Sequence, residues 1–154
     1  MDYDVQYDKI YRYCYYKVKD KNLAEEITQE TFLHFLDSGY REQGKSLQYL
    51  YTIARNLCVD HFRRNTNNKQ ILLNEEPEEP ADSGFEEEFG IKSDLQKAMS
   101  VLSEEDREIL LLKYANDEKD TVICGLFGIS RFSLYRRLHR LQKLLRKHLI
   151  VYSS

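Results

Sequence analysis

The strongest constraint on the fold of this chain is a leucine repeat in its last third. Five leucines follow one another at steps of four, three, four and four residues; they are Leu134, Leu138, Leu141, Leu145 and Leu149. Because an α-helix turns by about 100° per residue, this spacing places the leucines on one helix face. The sequence therefore predicts a long amphipathic helix with one buried side.

The opposite side of the predicted helix is cationic. Between residues 131 and 148 the chain has seven lysines and arginines and no acidic residue. Four of these side chains lie opposite the leucines: Arg136, Arg140, Lys143 and Lys147. A buried stripe backed by unopposed positive charge suits a helix that lies against phosphates. The pattern indicates a nucleic-acid partner.

A turn and a shorter helix precede this cationic helix. Residues 119–127 have the pattern of a short apolar helix, Gly128 suits a left-handed helix stop, and Ser130 suits the N-cap of the helix that follows. Helix, tight turn and second helix make a helix-turn-helix, whose second helix enters the major groove of DNA.

Composition excludes several classes of protein. No window approaches the ~20 apolar residues of a membrane span, and the acidic, aromatic N-terminus is neither a signal nor a transit peptide. We therefore expect a cytoplasmic protein without membrane insertion. Cys14, Cys58 and Cys124 are far apart and form no metal-ligand spacing with the histidines, so we expect reduced thiols, no metal and no cofactor.

The charge of the chain is segregated. Residues 1–74 carry a net charge of +1, residues 75–94 carry −8 and residues 95–154 carry +4. The acidic segment contains both prolines, and like charges repel, so this stretch is expected to be extended and flexible. The sequence predicts an all-α protein of two small helical domains, 1–74 and 95–154, joined by an acidic linker at 75–94.

Three helices are expected in the first domain. Tyrosines recur every fourth residue along the first of them, which indicates either a core-packing face or an aromatic surface for a partner; they are Tyr3, Tyr7, Tyr11 and Tyr15. The second helix, at about 22–37, has an inner face of Ala24, Ile27, Thr31 and Phe35. Its outer face is acidic with one leucine and is typical of a solvated surface or of a helix that docks on a basic protein; it holds Glu25, Glu26, Gln29, Glu30, Leu33 and Asp37.

The third helix is predicted at about 46–64. Its outer side presents Thr52, Arg55, Asn56 and Arg63, the side-chain types that contact base edges and phosphates. The same side-chain types occur on any solvated helix face, so this pattern by itself is weak evidence for contact with nucleic acid.

Both halves of the chain resemble one family. Residues 23–33 (LAEEITQETFL) and 49–64 (YLYTIARNLCVDHFRR) resemble region two of the extracytoplasmic-function (ECF) sigma factors of bacterial RNA polymerase. Residues 95–149, with LSEEDREILLLKY and GISRFSLYRRLHRL, resemble region four of the same family. The resemblance implies a non-enzymatic initiation factor that binds core polymerase and directs promoter-specific transcription.

The resemblance also implies roles for individual residues. Glu26, Gln29, Glu30 and Leu33 would dock on the clamp helices of the largest polymerase subunit. Region two would read and melt the −10 element with Thr52, Arg55, Asn56 and Arg63, and a flipped base would stack on Tyr40 and Tyr49 in and after the loop at 38–46. Region four would read the −35 element through Arg131, Phe132, Ser133, Arg136, Arg137 and Arg140.

Further partners follow from the same resemblance. They are the polymerase flap, promoter DNA and an anti-sigma protein, and no small-molecule substrate is expected. The acidic linker would lie in the positively charged RNA channel, unless it is only a soluble tether. Phe132 stands where the family commonly has glycine, and it either touches a thymine methyl group or packs inward.

Three other classes of protein fit less well. An enzyme would need a phosphate loop, a nucleophile elbow or paired carboxylates, and none of these stands out. An autonomous helix-turn-helix regulator normally dimerises, and the sequence has no dimer seam. A sigma antagonist would have no need of the cationic helix.

Overall fold

The computed structural model describes residues 2–40, 44–71 and 93–153. At residues 65–71, 93–96 and 148–153 it describes the backbone only. Every regular element in these ranges is a helix, so the all-α prediction is confirmed for the part of the chain described. Backbone contacts divide the chain into two compact units, Met1–Asp82 and Ser83–Ser154. The predicted linker lies outside the described residues as far as residue 92.

The first unit contains α1 (Tyr3–Val18), α2 (Lys21–Asp37) and α3 (Ser46–Ile71), and each helix packs against the other two. The Asp2 carboxylate accepts hydrogen bonds from the backbone N–H groups of Asp4 and Val5 and so begins α1. Lys19 ends α1 in the left-handed conformation, with φ of 56°, and Asp20 caps α2 through the N–H of Leu23. Local capping therefore sets the tight connection between the first two helices.

The core of the first unit confirms the predicted inner face of α2, since Ala24, Ile27, Thr31 and Phe35 are all buried. Tyr51 of α3, which helical periodicity did not single out, is also fully buried. Its ring meets that of Tyr13 edge to face, with centroids 5.6 Å apart and an interplanar angle of 78°.

The tyrosine stripe of α1 is a core face only at one end. Tyr15 is buried, Tyr7 and Tyr11 are half-buried, and Tyr3 is 51% exposed. A four-residue step advances about 400° around an α-helix, so the stripe drifts by about 40° at each repeat. Ile10, Tyr13 and Cys14 fill the rest of the buried side.

The second unit contains α4 (Ser93–Ser100), α5 (Glu104–Leu110), a π-helical turn (Leu111–Ala115), α6 (Asp120–Phe127) and α7 (Arg131–Ser153). Helices α4 and α6 both pack on α7, and α6 also packs on the π-helical turn. Fully buried leucine and isoleucine side chains form the core; they are Ile109, Leu112, Ile123, Leu134 and Leu141. The long leucine-striped helix therefore organises this unit.

The helix that begins after Ser103 changes form at its end. Ser103 caps it by accepting a hydrogen bond of 3.1 Å from the N–H of Asp106. The α-helical bonding stops at Leu110, and the last turn widens to the π form, closed by the N–H of Asn116 on the carbonyl of Leu111. The extra residue in that turn lets Leu111 and Leu112 both face inward.

Candidate nucleic-acid interface

The helix-turn-helix predicted from the sequence is present in the second unit. Gly128 ends α6 in the left-handed conformation, with φ of 66°, and its N–H bonds to the carbonyl of Cys124. The hydroxyl oxygen of Ser130 accepts a hydrogen bond of 3.0 Å from the N–H of Ser133 and so caps α7. Both sequence signals therefore act where they were expected, and together they fix the start of the long cationic helix.

Opposite faces of α7 are apolar and cationic, as the leucine repeat predicts. Leu134, Leu138 and Leu141 are buried, and the half-buried Leu145 continues their stripe. The cationic side chains opposite them are solvent-exposed, as is Arg131 at the start of the helix; they are Arg136, Arg140, Lys143 and Lys147. The side chain of Leu149 lies outside the part of the chain that the structure describes.

Phe132 faces outward. Its side chain is 67% exposed, and the Cζ atom of Arg136 lies 4.8 Å from the centroid of its ring. One turn apart on the same helix, Tyr135 is also 67% exposed and stacks on His139 with centroids 6.2 Å apart. The choice left open by the sequence, between an inward and an outward Phe132, is therefore decided in favour of solvent.

Two arginines of α7 are held by carboxylates of α5. Arg137 is half-buried, with Nη1 3.4 Å from Glu105 Oε1 and Nε 3.5 Å from Asp106 Oδ1. Arg140 is exposed, and its Nη2 atom lies 3.4 Å from Asp106 Oδ2. The sequence grouped both with the DNA-contacting residues, but the structure turns the guanidinium of Arg137 toward its own domain. Asp106 was missed as a partner because it is far away in sequence.

The outer face of α3 displays most of the side chains expected there. Thr52, Asn56 and Arg63 are exposed and Arg55 is half-buried. The Thr52 hydroxyl donates to the carbonyl of Gln48 at 2.9 Å, which leaves its oxygen able to accept a hydrogen bond from a ligand. The face therefore presents donors and acceptors of several kinds to solvent.

Tyr40 and Tyr49 form one aromatic cluster with Phe35. Their ring centroids are 4.7 Å apart with an interplanar angle of 22°, and both rings lie about 6 Å from that of Phe35. The Ser38 hydroxyl accepts from the N–H of Tyr40 at 3.2 Å and donates to the carbonyl of Phe35 at 2.7 Å, which fixes the loop beside α2. Residues 41–43 of the loop lie outside the described ranges.

The outer face of α2 combines carboxylates with two exposed leucines. Leu33 is 61% exposed and Leu36, which the sequence analysis did not single out, is 60% exposed three residues later. Glu26 and Gln29 are exposed, as expected. Glu30 is half-buried, and its Oε1 atom is 3.6 Å from Nε2 of His34. Exposed apolar side chains rimmed by polar groups are a feature of interaction surfaces.

The thiols show no arrangement for metal chemistry. In the ranges that the structure describes, no three His, Cys, Asp or Glu side chains are grouped closely enough to hold a metal ion. Cys14 and Cys58 are buried, and burial raises the pKa of the half-buried Cys124 thiol, with the nearby Asp120 carboxylate adding to the shift. Across the same ranges, none of the helices has the length and hydrophobicity needed to span a membrane.

Comparison with known proteins shows which proteins this chain is similar to. Residues 3–68 match the family described as Sigma-70 region 2. The chain is similar to the ECF RNA polymerase sigma factor SigX of Bacillus subtilis (24% identity, 96% of this chain and 81% of SigX). It is likewise similar to SigM of the same organism (27% identity, 92% of this chain and 91% of SigM).

Another relative has a higher sequence identity to this chain, but over a shorter region. The ECF sigma factor BldN of Streptomyces coelicolor is 40% identical over 93 residues, which is 54% of this chain and 35% of BldN. The chain therefore matches only about a third of the length of that relative. In fold, it is similar to the sigma factor RpoE of Bartonella quintana, crystallised with the anti-sigma factor NepR (TM-score 0.67, 19% identity, 95% of this chain and 92% of that one). Over most of its length the chain is therefore similar to ECF sigma factors of bacterial RNA polymerase, and its residues 3–68 match Sigma-70 region 2.

Proposed function

We propose that this chain is a dissociable initiation subunit, which binds core RNA polymerase and directs it to a set of promoters. The observation that carries the proposal is the presence in one chain of a sigma region 2 sequence at residues 3–68 and, in the second unit, of a helix-turn-helix with an exposed cationic face. The relatives that the chain resembles over most of its length are RNA polymerase sigma factors. We assign residues 1–74 to core docking and the −10 element, 75–94 to the linker and 95–154 to the −35 element.

Contact with the −35 element is proposed for the start of α7. The exposed Arg131, Phe132, Arg136 and Arg140 and the half-buried Ser133 lie within its first three turns, the part of a recognition helix that contacts base edges. For Arg137 we propose an indirect role, since its guanidinium is already paired with carboxylates of α5.

Contact with the −10 element is proposed for α3 and for the aromatic cluster of Phe35, Tyr40 and Tyr49. The polar outer face of α3 supplies hydrogen-bonding groups for bases and phosphates; its members are Thr52, Arg55, Asn56 and Arg63. Because Tyr40 and Tyr49 already stack on each other, a flipped base would add to the stack and not enter between two free rings.

Docking on the polymerase clamp is proposed for the outer face of α2. Glu26, Gln29, Glu30 and Leu33 come from the family resemblance, and Leu36 extends the apolar part of the same surface. A basic partner would gain charge complementarity, and the leucines would lose contact with water. The flap of the polymerase, an anti-sigma protein and insertion of the acidic linker into the RNA channel complete the proposal.

Run-off transcription with purified core polymerase tests the proposal. We expect promoter-dependent product from a subset of genomic fragments only when the chain is added, and specific promoter binding only in the presence of core enzyme. Unaided binding of the chain to a unique duplex site, with no effect on the polymerase, would indicate an autonomous regulator instead.

A pair of variants tests the docking surface separately. Leu33→Asp places a charge in the centre of the proposed contact, so we expect at least a tenfold loss of affinity for core enzyme. Val101→Asp is the matched control, since Val101 is equally exposed but lies in the second unit. Equal losses in both variants would argue against α2 as the docking helix.

A further inference from the structure

Phe132 and Arg136 form a solvent-exposed pair on the cationic face of α7. They are one helical turn apart, and the guanidinium carbon lies 4.8 Å from the ring centroid, within the range of a cation–π contact. Phe132 is exposed over two thirds of its surface, so the ring contributes little to the core of its own domain. An exposed aromatic side chain placed under an arginine calls for an explanation in terms of a ligand.

The ring restricts the guanidinium of Arg136. An arginine on an open helix face samples many rotamers, and ordering them on binding costs conformational entropy. A planar guanidinium stacked on an aromatic ring is partly ordered before the ligand arrives, which favours recognition through two parallel hydrogen bonds. The neighbouring arginines are held differently, since Arg137 and Arg140 lie beside carboxylates of α5.

The chemistry of the two side chains defines their ligand in the major groove. Arginine recognises guanine through bidentate hydrogen bonds to O6 and N7, and an apolar side chain such as phenylalanine contacts the C5-methyl group of thymine. Successive base pairs are about 3.4 Å apart along the helix axis, and base pairs two steps apart are separated by about 6.8 Å. The 4.8 Å between the two groups is nearer to one step than to two.

We propose that Phe132 and Arg136 act as one reading unit for a thymine directly next to a guanine in the upstream promoter element. Phe132 contacts the thymine methyl group and also orients Arg136 for the guanine. The inference rests on the proposed function, since it requires that α7 enter the major groove. It makes Phe132, which departs from the common family pattern, a residue that determines the promoter specificity of this chain.

The test uses the full chain assembled with core polymerase. A promoter recovered from genomic fragments by run-off transcription is randomised across its upstream element, and the templates that yield transcript are sequenced. With the wild-type chain we expect enrichment of a thymine–guanine step. Phe132→Ala is expected to lower discrimination at both positions, by about tenfold at the guanine.

Two further variants separate the roles of the pair. Phe132→Leu keeps an apolar group for the methyl contact but removes the ring, so the thymine preference should persist while discrimination at the guanine weakens. Arg136→Lys keeps the charge but loses the bidentate geometry, so the guanine preference alone should fall. Tyr135→Ala is the matched control, because Tyr135 has the same exposed fraction as Phe132 but stacks on His139.

The outcomes distinguish this inference from the function on which it rests. Absence of promoter-dependent product with the wild-type chain would overturn the proposed function and the inference together. Selective transcription without a preferred thymine–guanine step, or with Phe132→Ala unchanged, would overturn the inference alone. So would an equal change in Tyr135→Ala. Thermal unfolding of each variant should match the wild type, since both aromatic rings are largely exposed.

Discussion

Replacing Asp106 by asparagine tests whether a partly buried carboxylate holds α7 to α5. The Asp106 side chain is 12% exposed and faces Arg137, which is 28% exposed, and Arg140, which is 62% exposed. The substitution preserves the shape of the side chain and the backbone hydrogen bond to Ser103 but removes the negative charge. It therefore isolates the electrostatic part of the contact between the two helices.

The expected loss of stability in Asp106→Asn follows from the burial of the two charged groups and from the geometry of their contact. A hydrogen bond between charged groups contributes about 1.5–3 kcal/mol, whereas an exposed ion pair contributes about 0.2–1 kcal/mol. The Asp106–Arg137 contact lies between these cases, because both groups are mostly buried but Oδ1 of Asp106 accepts no hydrogen bond of good geometry. Loss of a charge from the first turn of α5 adds about 0.3–1 kcal/mol. We expect Asp106→Asn to destabilise the second unit by about 1–2 kcal/mol.

Differential scanning calorimetry of the full chain measures this cost. In a domain of about 60–100 residues, 1 kcal/mol corresponds to a change in Tm of about 4–8 °C. The transition of the second unit is identified with Leu141→Ala, which removes a fully buried side chain of that unit. Glu104→Gln is the control, because Glu104 also lies in the first turn of α5 and so carries the same first-turn effect. Its 2.9 Å ion pair with Arg107 is shorter but more exposed, and the loss of this pair should add less than about 0.5 kcal/mol.

A double-mutant cycle tests whether Asp106 and Arg137 interact directly. Asp106→Asn and Arg137→Met should be non-additive by about 0.5–1.5 kcal/mol if the two groups interact. Additive effects within about 0.3 kcal/mol, or a Tm that changes as little as in the Glu104→Gln control, would refute the argument that burial makes this pair stronger than a surface ion pair.

Three other predictions test the core, the turn and a thiol. Tyr51→Ala should lower the free energy of unfolding, measured with urea, by about 3–5 kcal/mol, because a fully buried ring that packs on Tyr13 is lost. Gly128→Ala should cost about 1–2 kcal/mol by the same measurement, since no atom lies near the added Cβ and only the positive φ is strained. Cys124 should react with iodoacetamide at pH 8 more slowly than in the urea-unfolded chain, because a raised pKa lowers the thiolate fraction. The same shift should make folding less favourable as the pH rises above 9.0, where the unfolded thiol ionises first.

Local signals in the sequence predicted the elements of the helix-turn-helix well. Gly128 and Ser130 act on their immediate neighbours, so their roles as helix stop and helix cap depend on a few adjacent residues. The leucine repeat predicted which side of α7 is buried, because helical geometry alone decides which residues share a face. The inner face of α2 was predicted for the same reason.

The same rule could not decide between the two interpretations of the tyrosine stripe of α1, and it did not single out Tyr51 of α3. A periodic pattern shows which residues share a face, but the part of that face in contact with another helix depends on where the helices cross. Tyr3 and Tyr15 belong to one stripe and end in opposite environments, whereas Tyr51 is buried where α3 meets Tyr13 of α1.

The sequence by itself determined the helical class, the stop and the cap of the helix-turn-helix, and the buried faces of α2 and α7, because each of these depends on residues close together in the chain. Tertiary structure alone decided that Tyr40 and Tyr49 stack on each other and that Phe132 faces solvent instead of the core. It also decided that Asp106 holds an arginine 34 positions away. Side-chain partners such as these are chosen by the packing of helices in three dimensions, and that packing leaves no local pattern in the sequence.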